Sequence, residues 1–134
     1  MIRAEWVSDT TPFGTDETPL LLRARDQVAE YFAGTRTAFD LPLRIYGTDF
    51  QRAICDAISA IPLGDTLTYG DIAKQLSAMP QAVGRACGAN PIPLIIPCHR
   101  VMGAGGKLTG FSGRGGVETK VWLLRHEGAA SLLI

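Results

Sequence analysis

Only three cysteines occur in the 134 residues, Cys55, Cys87 and Cys98. So small and odd a number excludes a disulfide framework, and whatever each does it does as a thiol or thiolate. No apolar run approaches the roughly 20 residues a membrane helix needs, and no charged N-terminal stretch leads into an apolar one. The chain is therefore expected to be cytoplasmic, monomeric and without a membrane partner. Net charge is absent too: thirteen Lys+Arg balance thirteen Asp+Glu, which excludes a strongly basic, indiscriminate polyanion binder. Cys87, Cys98, His99 and His126 have no recognised zinc-ligand spacing, so neither a metal nor another cofactor is expected. What is present, 46% hydrophobic and 19% charged residues, is the composition of one small soluble domain.

The balance of charge conceals an asymmetry. Residues 1–45 hold seven acids against five basic residues. From Lys74 to Arg125 there are seven basic residues, and Glu118 is the only acid. A surface that attracts an anion is to be sought in that second stretch.

Residues 1–17 carry no sustained periodicity and read as a loose lead-in. Thr18 and Pro19 are an N-cap followed by proline at the first helical position. Leu21, Val28 and Phe32 then share a face until Gly34 ends the helix. Pro42 and Gly47 make residues 35–47 a connector with room for a brief strand at Leu41–Tyr46. Thr48 and Gln51 have capping-box spacing at the head of the next helix, whose apolar face is Phe50, Ile54, Ile58 and Ile61. Thr68 and Asp71 repeat that spacing and open a short helix, Tyr69–Leu76, with Ile72, Ala73 and Leu76 inward. A break at residues 77–80 precedes another short helix, Gln81–Cys87. Two short helices joined by a tight turn and braced by a longer one outline a helix-turn-helix, though an ordinary helical hairpin has the same spacing. Leu94–Ile96, bracketed by Pro93 and Pro97, is expected to be a short extended segment at an edge. Glycines crowd residues 102–116 into a loop. Val117, Val121 and Leu124 mark a last helix, with Gly128 as its stop.

Chemistry concentrates in Pro97-Cys98-His99-Arg100. A thiol near its ordinary pKa of about 8.5 is only a few per cent ionised at neutral pH, and the thiolate is the nucleophile. His99 and Arg100, with no carboxylate beside them, favour the ionised form. A Cys-His dipeptide is weak by itself, because activation needs a base placed in space. Cys55 and Cys87 fall on helices among apolar residues and read as small buried hydrophobes.

The longer string from Asn90 to Val101, with its Pro97-Cys98-His99-Arg100, closely resembles the active-site signature of the O6-alkylguanine-DNA alkyltransferases, the methylated-DNA–protein-cysteine methyltransferases. The resemblance extends through Thr48-Asp49-Phe50-Gln51, Ile61-Pro62-Leu63-Gly64, Thr68-Tyr69-Gly70, Ala82-Val83-Gly84, Gly110-Phe111-Ser112-Gly113 and Trp122 to Gly128, covering about residues 18–128. It implies a mainly α fold, a winged helix-turn-helix-like alkyltransferase catalytic domain over residues 48–134. It further implies a truncated N-terminal segment, with a remnant helix and connector expected at residues 18–47.

The resemblance also implies double-stranded DNA carrying O6-alkylguanine as partner, nucleoid association when bound, and irreversible transfer of the alkyl group to Cys98. His99 would take the thiol proton through a water, with Glu127 fixing the histidine's tautomer and Asn90 linking the recognition helix to the active-site segment. Tyr69, Pro93, Val101 and Ser112 would contact the flipped guanine. Ala82, Gly84 and Ala86 would allow close approach to DNA, and Arg100 joins the groups facing it. Two positions depart from the family pattern: Gln81 stands where an intercalating arginine is usual, and Phe111 where a tyrosine is common. Arg85, one turn on, is expected to point to a different place on the helix. The competing reading is a lesion-binding sensor that flips the damaged base without accepting its alkyl group. Its known representatives lack the cysteine that this sequence has.

Overall fold

The computed structural model describes residues 18–106 and 116–129. Helix α1 (Pro19–Phe32) starts where the sequence sets it, with the Thr18 hydroxyl accepting from the Leu21 amide at 3.2 Å. Its buried face is Ala24, Gln27 and Tyr31, whereas Leu21 and Phe32 are exposed and Val28 is only partly buried. Polar bonding explains the rotation from the expected face. Gln27 both donates to and accepts from the Asp40 backbone, at 3.0 and 2.9 Å, and the Tyr31 hydroxyl reaches a buried carboxylate far along the chain. The connector that follows forms no strand at Leu41–Tyr46, and among the described residues no strand runs beside it to pair with.

Helix α2 (Asp49–Ser59) buries Ile54, Cys55 and Ile58, with Ile61 completing the face just beyond its end. Phe50, expected inward, is 36% exposed in the first turn. Thr48 caps the Gln51 amide at 3.0 Å, but the Gln51 side chain does not return to close the box. It donates instead to the Ala86 carbonyl at 3.0 Å. Ala86 lies in the last turn of another helix, where its carbonyl also accepts from the Ala89 amide at 3.2 Å, so the bond ties two helices together.

Strand β1 (Leu67–Thr68) pairs in parallel with β2 (Val101–Met102), Leu67 opposite Val101 and Thr68 opposite Met102. Neither two-residue strand is signalled by the sequence pattern. The pairing sets the active-site segment beside the start of α3 (Tyr69–Leu76), whose capping box is complete. Thr68 Oγ1 accepts from the Asp71 amide at 3.0 Å and Asp71 returns an acceptor to the Thr68 amide at 2.9 Å. Ser77 then turns the chain with a left-handed φ of 52°, and α4 (Pro80–Gly88) begins on Pro80 at its first position. Helices α3 and α4 pack on each other with α2 behind them, which is the helix-turn-helix arrangement.

The core under this unit contains Ile54, Ile58, Ile72, Val83, Ile92 and Ile96, none more than 1% exposed. Each such burial contributes about 1.5–3 kcal/mol before the opposing entropy. Helix α5 (Val117–His126) buries Lys120, Leu123 and Leu124, while Val117 is exposed and Val121 only partly covered. A buried acceptor for Lys120, described below, turns the helix that way. Gly128 ends it at φ 82°.

Candidate active site

The segment before Cys98 is not extended. Asn90 Oδ1 accepts from the Ile92 amide at 3.0 Å and its Nδ2 donates to the Ile96 carbonyl at 2.8 Å, while the Ile96 amide donates to the Ile92 carbonyl at 2.9 Å. One buried asparagine thus folds residues 90–96 into a closed turn. Pro93 and Pro97 have no amide to give a strand ladder, so the segment satisfies its polar groups internally. Leu94 takes a positive φ of 75° and buries its side chain against Tyr31 and Leu123. The turn delivers Cys98, 6% exposed, at the head of a 3-10 turn spanning Cys98–Arg100.

His99 Nε2 lies 2.7 Å from Glu127 Oε2, and both side chains are fully buried. The same carboxylate accepts from the Tyr31 hydroxyl at 2.6 Å, from Arg100 Nε at 2.8 Å and from Arg100 Nη2 at 3.0 Å. A carboxylate that already receives these donors is ionised, so Nε2 carries the imidazole proton and Nδ1 keeps its lone pair. Nδ1 is buried and has no hydrogen-bond partner. This is the nitrogen available to take a proton, directly or through a water. Arg100, only 7% exposed, also donates to the Ile61 carbonyl at 2.7 Å. The expectation that it faces DNA is corrected: a bidentate grip on Glu127 turns it inward, as an internal counter-ion.

Lys120, which the sequence pattern did not single out, is 0% exposed and donates to the Val101 carbonyl at 2.6 Å. Burial pushes the Cys98 thiol up, opposed by the Asn90 hydrogen bond and by the Lys120 charge. The resting thiol is thus protonated, in a setting where two groups support the thiolate once it forms. A buried lysine inside an apparently amphipathic helix resembles an outward charge, so only its three-dimensional partner reveals its place.

Burial alone would raise the pKa of Glu127, but the hydrogen bonds from His99 and Arg100 overcome it and hold the carboxyl at about 2. Desolvation lowers the pKa of His99 despite Glu127, keeping the imidazole neutral. The sign of the stability dependence follows for both. Below pH 6.5 the unfolded histidine takes a proton that the buried one refuses, and below 4.5 the unfolded glutamate takes one that the folded carboxylate refuses until about 2. Unfolding free energy therefore falls as pH falls from 6.5 towards 2, with a limiting slope of about 1.4 kcal/mol per pH unit for each group. Urea unfolding across that range tests this, and His99→Gln is expected to flatten the upper part of the curve.

Helix α4 presents Gln81 and Arg85 one turn apart on its exposed side, so Arg85 shares the side of Gln81 rather than pointing away. Ala82 and Gly84 are partly exposed, and a side chain at Gly84 would meet open space. Ala86 faces the core, so its small size serves packing there rather than approach to DNA. Tyr69, at the head of α3, packs on the core that contains Cys98, and Pro93 is half-buried in the turn. Ser112 and Phe111 lie outside the described residues. Cys55 and Cys87 are buried in α2 and α4, and burial pushes the Cys87 thiol up to about 12.

Of the seven basic residues from Lys74 to Arg125, Arg100 and Lys120 are interior, Lys74, Arg85 and Arg125 are exposed, and Lys107 and Arg114 lie outside the described residues. The basic stretch is thus part surface and part active-site interior. A cavity of about 520 Å³ lies elsewhere, between α2 and Gly128. It does not include Cys98, and chemistry rather than volume locates the site.

A helix-turn-helix unit that carries a buried thiol, an oriented imidazole and a clamped carboxylate defines a DNA-binding protein with a nucleophile of its own. The profile of the 6-O-methylguanine DNA methyltransferase DNA binding domain matches residues 49–129. The methylated-DNA–protein-cysteine methyltransferase of Salmonella typhimurium is 46% identical over 127 residues, which are 92% of this chain and 68% of that protein. The crystal structure of Mycobacterium tuberculosis OGT in complex with DNA is 47% identical, with a TM-score of 0.76 over 84% of this chain and 73% of the other. The S. pombe Atl1 structure, in complex with damaged DNA containing O6-carboxymethylguanine, is 28% identical, with a TM-score of 0.54 over 62% of this chain and 80% of the other. The chain belongs to the methylated-DNA–protein-cysteine methyltransferase family.

Proposed function

We propose that this protein repairs DNA by direct reversal, transferring a methyl or larger alkyl group from O6 of guanine in double-stranded DNA to Cys98, once per molecule. The observation that carries the assignment to Cys98 is the buried imidazole beside it in the chain, its Nε2 held by Glu127 and its Nδ1 without a partner. His99 Nδ1 accepts the thiol proton, and Glu127 stabilises the imidazolium that forms. Asn90 and Lys120 favour the thiolate. The sulfur lone pair forms the S–C bond as the C–O6 bond breaks, the electrons pass to the purine, and a proton delivered to the base leaves guanine. The thioether is stable, so turnover stops.

The target atom lies inside the duplex, so the nucleotide must be extruded, at a cost of a few kcal/mol that a mispairing lesion reduces. Helix α4 enters the minor groove, with Gln81 beside the gap and Tyr69, Pro93, Val101 and Ser112 around the flipped base. Exposed Lys74, Arg85 and Arg125 are available to attract phosphate. Every group invoked comes from one chain, which acts as a monomer. Gln81 and the likeness to the Atl1 structure support a second reading, a sensor that binds the lesion without accepting the alkyl group.

Incubation with duplex DNA carrying O6-methylguanine followed by intact-mass measurement separates the two. One methyl, a gain of about 14 Da, is expected on the protein and is expected to vanish in Cys98→Ser. Tight lesion binding with no gain in mass would leave only the sensor.

A further inference from the structure

We infer that Tyr31, on a helix outside the matched DNA-binding domain, is a positioning residue for alkyl transfer that acts through Glu127 on His99. The inference rests on the reading of Cys98 as acceptor and of His99 as its base.

Tyr31 is 2% exposed, and its place is fixed twice. Its hydroxyl donates to Glu127 Oε2 at 2.6 Å, and its backbone carbonyl accepts from His126 Nε2, also at 2.6 Å. The last turns of α1 and α5 are thereby locked together at the two residues that end in Glu127. The ring is held by Phe32, Phe39 and His126, at centroid distances of 5.2, 5.6 and 4.9 Å. The hydroxyl cannot turn to another partner without unpacking this cluster.

The competition at Glu127 makes the contact chemical as well as structural. Among the described residues Oε2 receives three donors, from Tyr31, His99 and Arg100, whereas Oε1 receives Arg100 Nε. Three donors on one carboxylate oxygen share its lone pairs, so each bond weakens the others. The Tyr31 hydroxyl therefore limits how strongly Glu127 stabilises a protonated His99. Besides burial, four groups bear on the imidazole: Lys120 from α5, Glu127 just beyond its end, Arg100 from the active-site turn, and Tyr31 from α1 through Glu127. Arg100 and Lys120 oppose its protonation, Glu127 favours it, and Tyr31 tempers Glu127. Burial is the largest influence and keeps the imidazole neutral, and the donors gathered on Glu127 set how far the carboxylate offsets it.

The test is the single-turnover rate of alkyl transfer, followed by intact mass across pH 5–8. It compares wild type, Tyr31→Phe, a chain with 3-fluorotyrosine at position 31, and Gln27→Ala. Tyr31→Phe keeps the ring and deletes the donor, so the acid limb is expected to move up by about half a unit, with transfer about threefold slower below the midpoint. Fluorotyrosine is a stronger donor and is expected to move the limb down. Gln27→Ala breaks the hydrogen bonds of α1 to Asp40 and is expected to lower Tm while leaving rate and limb as in wild type. Coincident acid limbs for wild type and Tyr31→Phe overturn the inference. So does a Gln27→Ala limb displaced as far as that of Tyr31→Phe, since the effect would then be loosening of α1. Should Tyr31→Phe not fold, the fluorotyrosine chain decides, and a limb unmoved from wild type overturns the inference. Failure of wild type itself to gain alkyl mass sinks the acceptor reading and this one together, a pattern distinct from an active wild type with an indifferent Tyr31.

Discussion

Replacing Glu127 by alanine is expected to cost about 3–5 kcal/mol of folding free energy and to reduce alkyl transfer by at least about 10²-fold. The size follows from what the carboxylate holds. It neutralises Arg100, which is 7% exposed, and without it the guanidinium is left as an uncompensated buried charge whose other partner among the described residues is the Ile61 carbonyl. The Tyr31 hydroxyl and His99 Nε2 lose their acceptor in the same change.

Glu127→Gln keeps the volume and one acceptor oxygen but removes the charge. Three donors meet at Oε2 and Arg100 Nε meets Oε1, so the amide oxygen is expected at the Oε2 position with its NH₂ towards Arg100 Nε. The His99 tautomer is then kept, and what is lost is the charge that neutralises Arg100 and stabilises the imidazolium: stability is expected to fall less than in the alanine variant, and transfer to slow by about 10- to 100-fold. Urea unfolding gives the stability arm, single-turnover mass measurement the rate arm, and lesion-DNA binding is expected to be nearly unchanged. Transfer within twofold of wild type in Glu127→Gln would show that the carboxylate charge is not needed for the reaction.

Asn90→Ala is the second large effect, expected at about 2–4 kcal/mol of stability and about 10- to 100-fold in transfer. The side chain satisfies the buried Ile92 amide and the Ile96 carbonyl, and alanine leaves both without that partner. It also removes the hydrogen bond that favours the Cys98 thiolate against burial. Asn90→Asp distinguishes the two contributions. It retains an acceptor for Ile92 but replaces the amide donor with a negative charge beside the nucleophile, so thiolate formation suffers more than stability. The pH dependence of Cys98 alkylation by iodoacetamide reads that difference directly. Its midpoint is expected to rise in both variants, and further in the aspartate.

Helix existence and helix starts were legible in the chain because caps act over three or four residues. Thr18, Thr48 and Thr68 each cap a helix from the hydroxyl the sequence displays. Which face turns inward was less legible. In α1 and α5 the buried positions include Gln27, Tyr31 and Lys120, chosen by distant acceptors rather than by local apolar spacing. Two prolines around Leu94–Ile96 gave an expectation of extended chain, yet the turn is closed by a side chain from Asn90, a solution that no alternation pattern displays.

The sequence by itself identified the family and singled out a candidate nucleophile: Cys98 between Pro97 and His99, two short helices in helix-turn-helix order, and the Glu127 that follows His126. Those features are local strings, and a string survives without coordinates. Only the tertiary structure decided that Arg100 serves the interior and that Lys120 lies near the thiol. It also showed that Tyr31, 96 residues before Glu127 in the chain, shares its carboxylate. These are long-range choices of buried polar partners. A buried charge or hydroxyl has to find an acceptor wherever the fold supplies one, and that place is written in the packing of the helices rather than in the spacing of the residues.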